Sequence, residues 1–307
     1  MPEHEVICHP SVTYQGGNER LPFELDGVAK AVSLRIGGFN RSLVAGLPDL
    51  ALDILEIAAL VYSIDAAVSR GGSTDRHLGR DWYRTFNVRM PVRCLETWRD
   101  NGLRSALEEM LEFLSGDRFR FAFVAGASLP HESKWFDFGP DKGWRADRVM
   151  MFSGGLDSYA GALQEIVDHR QKVALVSHAS STKIAPVQRA LVKTLLERLG
   201  PDSCRHFQMR IQLATGTNKE GTHRTRSFLF AALGLVTALA FNRDRVSFHE
   251  NGIISLNLPP VANVVNTRAT RTTHPQTLAR FSDVFGRLLE QEIRIDNCLT
   301  SAPVGQI

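Results

Sequence analysis

Cysteine is scarce in this chain. Cys8, Cys94, Cys204 and Cys298 are the only four in 307 residues, and no two form a Cys-x-x-Cys pair. That spacing argues against a zinc knuckle, a disulfide framework or a thioredoxin-like site. Long apolar runs are missing as well. The longest, Phe228 to Phe241, is interrupted by Gly234 and Thr237; it is too short to span a bilayer and reads as a buried helix. The opening Met1-Pro2-Glu3-His4-Glu5 has neither a basic nor an apolar segment of the kind a signal peptide needs. Charge of one sign is also missing. Against 36 Lys and Arg stand 33 Asp and Glu, and a formal net charge of +3 gives no electrostatic case for nucleic acid without a visible patch. These absences predict a cytoplasmic protein with no membrane and no nucleic-acid partner.

What remains is ordinary globular material: 43% hydrophobic and 22% charged residues, enough to bury a substantial core. The length suggests two domains, and the chain divides by pattern. From about Arg145 onward, strand-like and helix-like stretches alternate. Val149–Phe152 and Lys172–Ser177 read as buried strands, and Phe207, Met209 and Ile211 alternate as a third. Arg245–Phe248 reads as a fourth. Between them, Tyr159, Leu163, Ile166 and Val167, then Val187, Leu191, Leu195 and Leu199, recur at helical spacing. A last helix carries Leu278, Phe281, Phe285, Leu288 and Leu289 after His274-Pro275. Strands alternating with helices of this length predict βαβ units and a parallel sheet, with ligands at the carboxyl ends of its strands.

The first half has helical faces at Ile54, Ile57, Ala58, Val61 and Ile64 and at Leu103, Leu107, Met110, Leu111 and Leu114. Phe86, Val88, Met90 and Val92 alternate, as do Phe119, Phe121 and Phe123. With no βαβ rhythm evident, an α+β domain is expected there. Ser128–Gly143, with Pro130, Gly139, Pro140 and Gly143, is the best linker candidate. The expected organisation is an α+β domain over 1–127, a linker over 128–145 and an α/β domain over 146–307.

The most specific stretch is Ser153-Gly154-Gly155-Leu156-Asp157-Ser158, set between the first strand and first helix of the second half. A helix N-terminus leaves backbone N–H groups unpaired and carries partial positive charge, so it suits an anion. Glycines let backbone approach a phosphate with no Cβ in the way. Ser153 and Ser158 can donate hydroxyls, and Asp157 can hold a magnesium ion. No Gly-Lys-Ser/Thr follows, so this is not the Walker type of phosphate loop. An ordinary strand-to-helix turn is the plain alternative.

Other polar residues fall where strands end. Ser177 and His178 close the second strand, where an adenine or ribose can meet backbone. Arg224 and Arg226 precede the long buried helix. Two cations at a helix N-terminus oppose its dipole, which favours an anionic ligand beside them. Glu250 and Asn251 follow the fourth strand and can read a substrate's polar edge. Asn257, Arg268, Arg271, Thr272, Thr273 and His274 lie in a long polar connection of the kind that often carries function. His274 before Pro275 reads equally as a helix start, and Lys183 as a surface lysine.

The Ser-Gly-Gly-Leu-Asp-Ser loop resembles the pyrophosphate loop of the N-type ATP pyrophosphatases. Thr225-Arg226-Ser227-Phe228-Leu229-Phe230, Glu250-Asn251-Gly252-Ile253-Ile254-Ser255-Leu256-Asn257 and Thr270-Arg271-Thr272-Thr273-His274-Pro275 follow it in order. Together they resemble the 7-cyano-7-deazaguanine synthase-like proteins, and among these the branch with an extra N-terminal domain found in Qat-type anti-phage defence operons. Trp135-Phe136-Asp137-Phe138-Gly139-Pro140 fits that branch too.

The resemblance implies an adenine nucleotide alpha hydrolase-like (PP-loop) parallel-sheet domain. It also implies ATP and magnesium as ligands, with pyrophosphate and nucleotide held by Ser153, Gly154, Gly155, Leu156, Asp157, Ser158, Ser177, His178 and Arg224. Asp157, Ser158 and Arg226 would be catalytic, Asp157 would be the magnesium ligand, and Glu250, Asn251, Asn257, Arg271 and His274 would face a 7-deazaguanine-like substrate. The implied reaction is adenylation of a carboxylate with release of pyrophosphate, then amide or nitrile formation. The acceptor is ammonia or a protein amine, and other subunits of a defence operon are the expected partners.

The chain departs from that family at two points. The queuosine-pathway synthase holds zinc with a C-terminal cysteine cluster. This chain has only Cys298 there, so zinc is not expected within it. It also stops soon after its last expected helix, which predicts a shortened copy. The competing reading is a non-catalytic nucleotide-binding or scaffold subunit. A tRNA-thiolating enzyme needs catalytic or cluster-binding cysteines at a spacing not present here.

Overall fold

The computed structural model describes residues 3–10, 12–13, 19–39, 41–70, 83–126, 136–138, 143–179, 183–214, 219–256 and 271–298. Its strands are β1 (Glu3–Cys8), β2 (Val12–Thr13), β3 (Glu19–Leu25), β4 (Val28–Phe39), β5 (Thr85–Val92), β6 (Arg118–Ala125), β7 (Phe136–Phe138), β8 (Arg148–Met151), β9 (Val173–His178), β10 (Cys204–Leu213), β11 (Arg245–Phe248) and β12 (Arg294–Asn297). The helices are α1 (Arg41–Ala45), α2 (Asp49–Ala67), α3 (Leu95–Trp98), α4 (Asn101–Ser115), α5 (Leu156–Leu163), α6 (Ile184–Leu199), α7 (Arg226–Ala240), α8 (Gly252–Leu256) and α9 (Pro275–Leu289). A π-helical turn, Gln164–Asp168, continues α5.

One sheet runs through both halves of the chain, in the order β12-β11-β8-β9-β10-β4-β3-β1-β5-β6. In the second half, β12, β11, β8, β9 and β10 pair parallel throughout. By appearance in the chain this block reads fifth, fourth, first, second, third. The order reverses between β8 and β11, and such a switch point opens a crevice at the carboxyl ends of the strands. The protein is therefore α/β, with a large and mostly parallel central sheet. The four expected strands and the helices between them are present, and β12 is an element the apolar pattern did not announce.

Residues of β8 and β9 alternate between two cores, as a sheet covered on both faces requires. Val149, Met151, Ala174 and Val176 join the larger core with α7 and α2. Met150, Phe152, Val173 and Leu175 pack with Ala162, Val192 and Leu195 of α5 and α6. Helices α2 and α7 are apolar nearly all round, so both are buried and pack on each other. Helix α4 starts at Asp100, which accepts from the Leu103 N–H at 2.6 Å, and stops at left-handed Gly116.

The first half differs from its expectation. β5 and β6 pair parallel with α3 and α4 between them, and β1 pairs parallel with β5 across α2. The βαβ rhythm is present there, but the insertion of β2–β4 hides it in sequence. β4 also pairs antiparallel with β10, so the sheet crosses the expected boundary between the halves. Most of Ser128–Gly143 lies outside the described residues; within it, β7 pairs parallel with β4. Among the described residues, no helix is long and apolar enough to cross a membrane.

Candidate anion-binding cleft

The Ser153–Ser158 turn sits at the carboxyl end of β8, at the switch point. Gly154 takes φ +83°, and a Cβ there would come within 2.9 Å of Gln188 Cγ. Both the left-handed backbone and the lack of room call for glycine. Gly155 is the residue before α5, and no side chain caps that helix. The hydroxyls of Ser153 and Ser158 lie 3.1 Å apart, Ser153 Oγ accepts from Gly155 N at 3.2 Å, and Ser158 Oγ donates to the Gly155 carbonyl at 3.0 Å. Ser158 is buried, Ser153 and Gly155 are exposed, and Leu156 points to solvent. One carboxylate oxygen of Asp157 accepts the Asn251 N–H at 3.2 Å, which ties the loop after β8 to the loop after β11 across the switch point.

A cleft of about 200 Å³ opens beside this turn. Ser153 and Ser158 line it with Ser177 and His178 from the exit of β9, Arg226 and Phe230 from α7, and His249 and Glu250 from the exit of β11. Gln188 of α6 fixes two of these exits at once. Its amide donates to the Ser153 carbonyl at 3.0 Å and to the His178 carbonyl at 3.2 Å. Sequence reading missed Gln188, because its role depends on two strand ends that only the fold brings together. Thr272 of the long polar connection also lines the cleft, with Phe230 and Phe248, which were not expected as site residues.

The cleft's polar groups are unevenly partnered: the serines, Gln188 and Glu250 have hydrogen-bond partners, and the His178 ring has none among the described residues. His178 is 6% exposed, and neither ring nitrogen has a hydrogen-bond partner among the described residues. Burial pushes its pKa down to about 4, with help from the Arg226 and His223 charges. The imidazole is therefore neutral near pH 7, packed edge-on to Tyr62 and against Phe230. The Arg226 guanidinium lies over the Phe230 ring at 5.7 Å, and no carboxylate pairs with it among the described residues. An aromatic-backed cation, a neutral imidazole and two linked hydroxyls beside a helix N-terminus are chemically suited to an anion with an attached planar group.

The remaining expected site residues divide. Glu250 lines the cleft, but Thr273 Oγ1 donates to its carboxylate at 2.7 Å and Asn297 holds its backbone on both sides. Asn251 meets Asp157 through its backbone. Three residues are drawn toward α4 of the first half and do not line the cleft. Arg224 donates to the Ser115 carbonyl at 3.0 Å; Arg271 donates to the Phe113 carbonyl at 2.6 Å and covers that ring; His274 caps α9 by accepting from Gln276 N. Asn257 and Arg268 lie outside the described residues.

Behind the cleft, Asp65 of α2 accepts from both the backbone N–H and the hydroxyl of Thr225, at 3.0 and 2.9 Å. Thr225 immediately precedes Arg226. Asp65 also pairs with Arg70 and Arg84, which in turn pair with Asp117. Burial works against the Asp65 carboxylate, but Arg70 and Arg84 hold its pKa below the usual range. The first half thus anchors the residue that presents Arg226.

No family model, curated protein or solved structure matches the chain.

Proposed function

We propose that the protein binds ATP in this cleft and cleaves it between the α- and β-phosphorus to adenylate a carboxylate. The observation that carries the proposal is the Ser153–Ser158 turn itself: two glycines and two linked hydroxyls at a helix N-terminus, at the switch point of a parallel sheet. Pyrophosphate is held by the turn's N–H groups with Ser153 and Ser158, and Arg226 faces the charge that develops as it leaves. The planar base lies toward His178 and Phe230. A substrate carboxylate oxygen attacks the α-phosphorus, the bond to the bridging oxygen breaks, and pyrophosphate departs. An amine nitrogen then attacks the acyl carbon and AMP leaves. Most of the acceleration comes from positioning and from fixed charges that need not reorganise.

Asp157 fits a magnesium ligand, since among the described residues only Oδ2 is engaged, by Asn251 N; the ion's contribution when bound would be neutralisation of phosphate charge. The resemblance to deazaguanine synthase-like proteins makes a 7-deazaguanine carboxylate the first substrate to try, and an anti-phage operon the first setting to look for.

The test is incubation with ATP, magnesium and that carboxylate, following AMP and pyrophosphate. Both should appear in equal amounts, and the rate should fall by roughly 100-fold or more in Asp157→Ala and Arg226→Ala. Absence of AMP, or equal turnover in Asp157→Ala, sinks the enzymatic reading. The bond between Asp157 and Asn251 N favours a second reading, in which the carboxylate staples two loops of a non-catalytic nucleotide-binding subunit. On that reading ATP binds, but AMP never forms.

A further inference from the structure

We infer that Glu165, His249 and Cys298 form a binding site for a zinc-type transition-metal ion at the wall of the cleft. The three residues are remote in sequence, yet a carboxylate oxygen, a ring nitrogen and the thiol sulfur all lie within 4.8 Å of one another. Each comes from a different strand exit or helix turn. His249 follows β11 directly and Cys298 follows β12 directly, where its backbone N–H donates to the Phe248 carbonyl at 3.0 Å. Glu165 stands in the π-helical turn after α5 and is 4% exposed. Such turns rotate side chains out of the regular helical register and recur at functional sites.

Two further observations point to a ligand. His249 is 3% exposed, and its Nδ1 has no hydrogen-bond partner among the described residues. A metal bound through Nδ1 would remove the cost of burying that nitrogen unpaired. In addition, Gly161, one helical turn before Glu165, abuts the His249 ring so closely that a Cβ there would overlap it. The imidazole is therefore held against the turn that carries Glu165.

The donor set selects the metal. Sulfur, imidazole nitrogen and one carboxylate suit zinc or cobalt, whereas magnesium and calcium take oxygen ligands. With bonds of about 2.0–2.3 Å, a tetrahedral ion holds neighbouring ligand atoms roughly 3.3–3.8 Å apart. Closing the cluster onto an ion thus takes movements of about 1 Å. Three protein ligands leave a fourth position for water or an outside ligand.

The surrounding charges are mixed. Arg148 and His169 approach Glu165, at 3.5 and 3.0 Å, both at Oε2. Arg245 pairs with Asp296 at 2.5 Å and lies 4.0 Å from Cys298 Sγ. A bound cation competes with these arginines, so affinity rests on the thiolate and the imidazole. The ion would clamp the edge strand β12 to β11 and to the turn after α5. It would also fix the His249 ring that lines the cleft.

The test uses the whole chain, stripped with a chelator and titrated with cobalt(II). Cobalt occupies zinc sites and reports a thiolate ligand by a near-ultraviolet charge-transfer band. The band should saturate at one equivalent, vanish on adding zinc, be absent in Cys298→Ser and persist in Cys94→Ser. Affinity should fall roughly tenfold or more in His249→Gln. Zinc should also raise the Tm of the stripped wild-type protein and not that of Cys298→Ser, a comparison that holds even if His249→Gln fails to fold. No thiolate band in the wild type, or a band that survives in Cys298→Ser, leaves these residues as an ion-pair cluster and overturns the inference. The outcome is independent of ATP turnover.

Discussion

Two groups of buried polar residues meet at the start of α7, and they differ in how they are partnered. On one side, Asp65, Arg70, Arg84 and Asp117 bond to one another in several directions, and Arg84 is fully buried with its guanidinium bonded to both carboxylates. On the other side, His178, His249 and Ser227 are buried with ring nitrogens or a hydroxyl that lack partners among the described residues. Thr225 belongs to the first group, and the exposed Arg226 that follows it lines the cleft with His178 and His249 of the second. A charge cluster whose two carboxylates are bonded by two arginines holds a backbone in place, although Arg70 Nε has no partner among the described residues; polar groups left unsatisfied at a cleft keep donors and acceptors available for a ligand. On the function proposed above, the contrast gives the first half a structural role and the second half recognition.

The largest effect should come from breaking the satisfied cluster. Arg84→Ala leaves two buried carboxylates to share Arg70 alone and should cost about 3–5 kcal/mol in urea unfolding. A loss under about 1 kcal/mol would mean that water reaches Asp65 and Asp117, and the contrast between the regions would fail. Next comes packing at the cleft wall. Gly161→Ala places a methyl group against the His249 ring and should cost about 1–3 kcal/mol. If it costs nothing, the ring has room to move, and the cleft is loose rather than held open.

Acid separates the two regions by pH. The folded-state pKa of His178 is depressed to about 4 from an ordinary 6.5, and that of His206 likewise, in both cases chiefly by burial. Below pH 6.5 the unfolded chain takes up protons that the folded chain refuses. The stability these neutral rings allow is present above pH 6.5 and lost as pH falls toward 4, by at most about 1.4 kcal/mol per pH unit for each ring. Asp65 has a depressed carboxylate pKa, so its contribution is present above the ordinary carboxylate range and disappears only below it. Unfolding measured from pH 7 to pH 3 should therefore show the histidine loss first and the cluster's loss later. A single step below pH 4 would contradict the assignment.

Local chemistry made part of this legible in sequence. Alternation in Phe86–Val92, the apolar spacing in α4 and the glycine pair before α5 each state their own conformation, and the structure has them. The parallel pairing of β1 with β5 was hidden because β2–β4 interrupt the rhythm. Residues that act through distance in the fold were hidden as well. Gln188 joins two strand exits, Asp65 reaches Thr225 from the other half of the chain, and Glu165, His249 and Cys298 converge only when β11 and β12 pair. The zinc site inferred above has no sequence signature, because a mixed donor set scattered along the chain leaves no spacing to recognise. Arg271 and His274 had the right chemistry for a site, but Phe113 and the start of α9 engage them instead.

The smallest change tests the contrast most directly, because its sign is opposite to the others. His178→Phe removes a buried imidazole whose nitrogens have no partners among the described residues and puts an apolar ring of similar breadth between Tyr62 and Phe230. If the histidine were structural, the substitution would destabilise the fold. If it is kept for a ligand, its removal relieves an unpaired polar burial, and stability should be unchanged or higher by about 1 kcal/mol. The acid-side slope should shrink by the share of one histidine, because phenylalanine does not titrate. Nucleotide affinity, measured by calorimetry, should fall in the same variant. Lower stability with unchanged affinity would move His178 to the structural side of the comparison and leave Arg226 and the Ser153–Ser158 turn as the recognition elements.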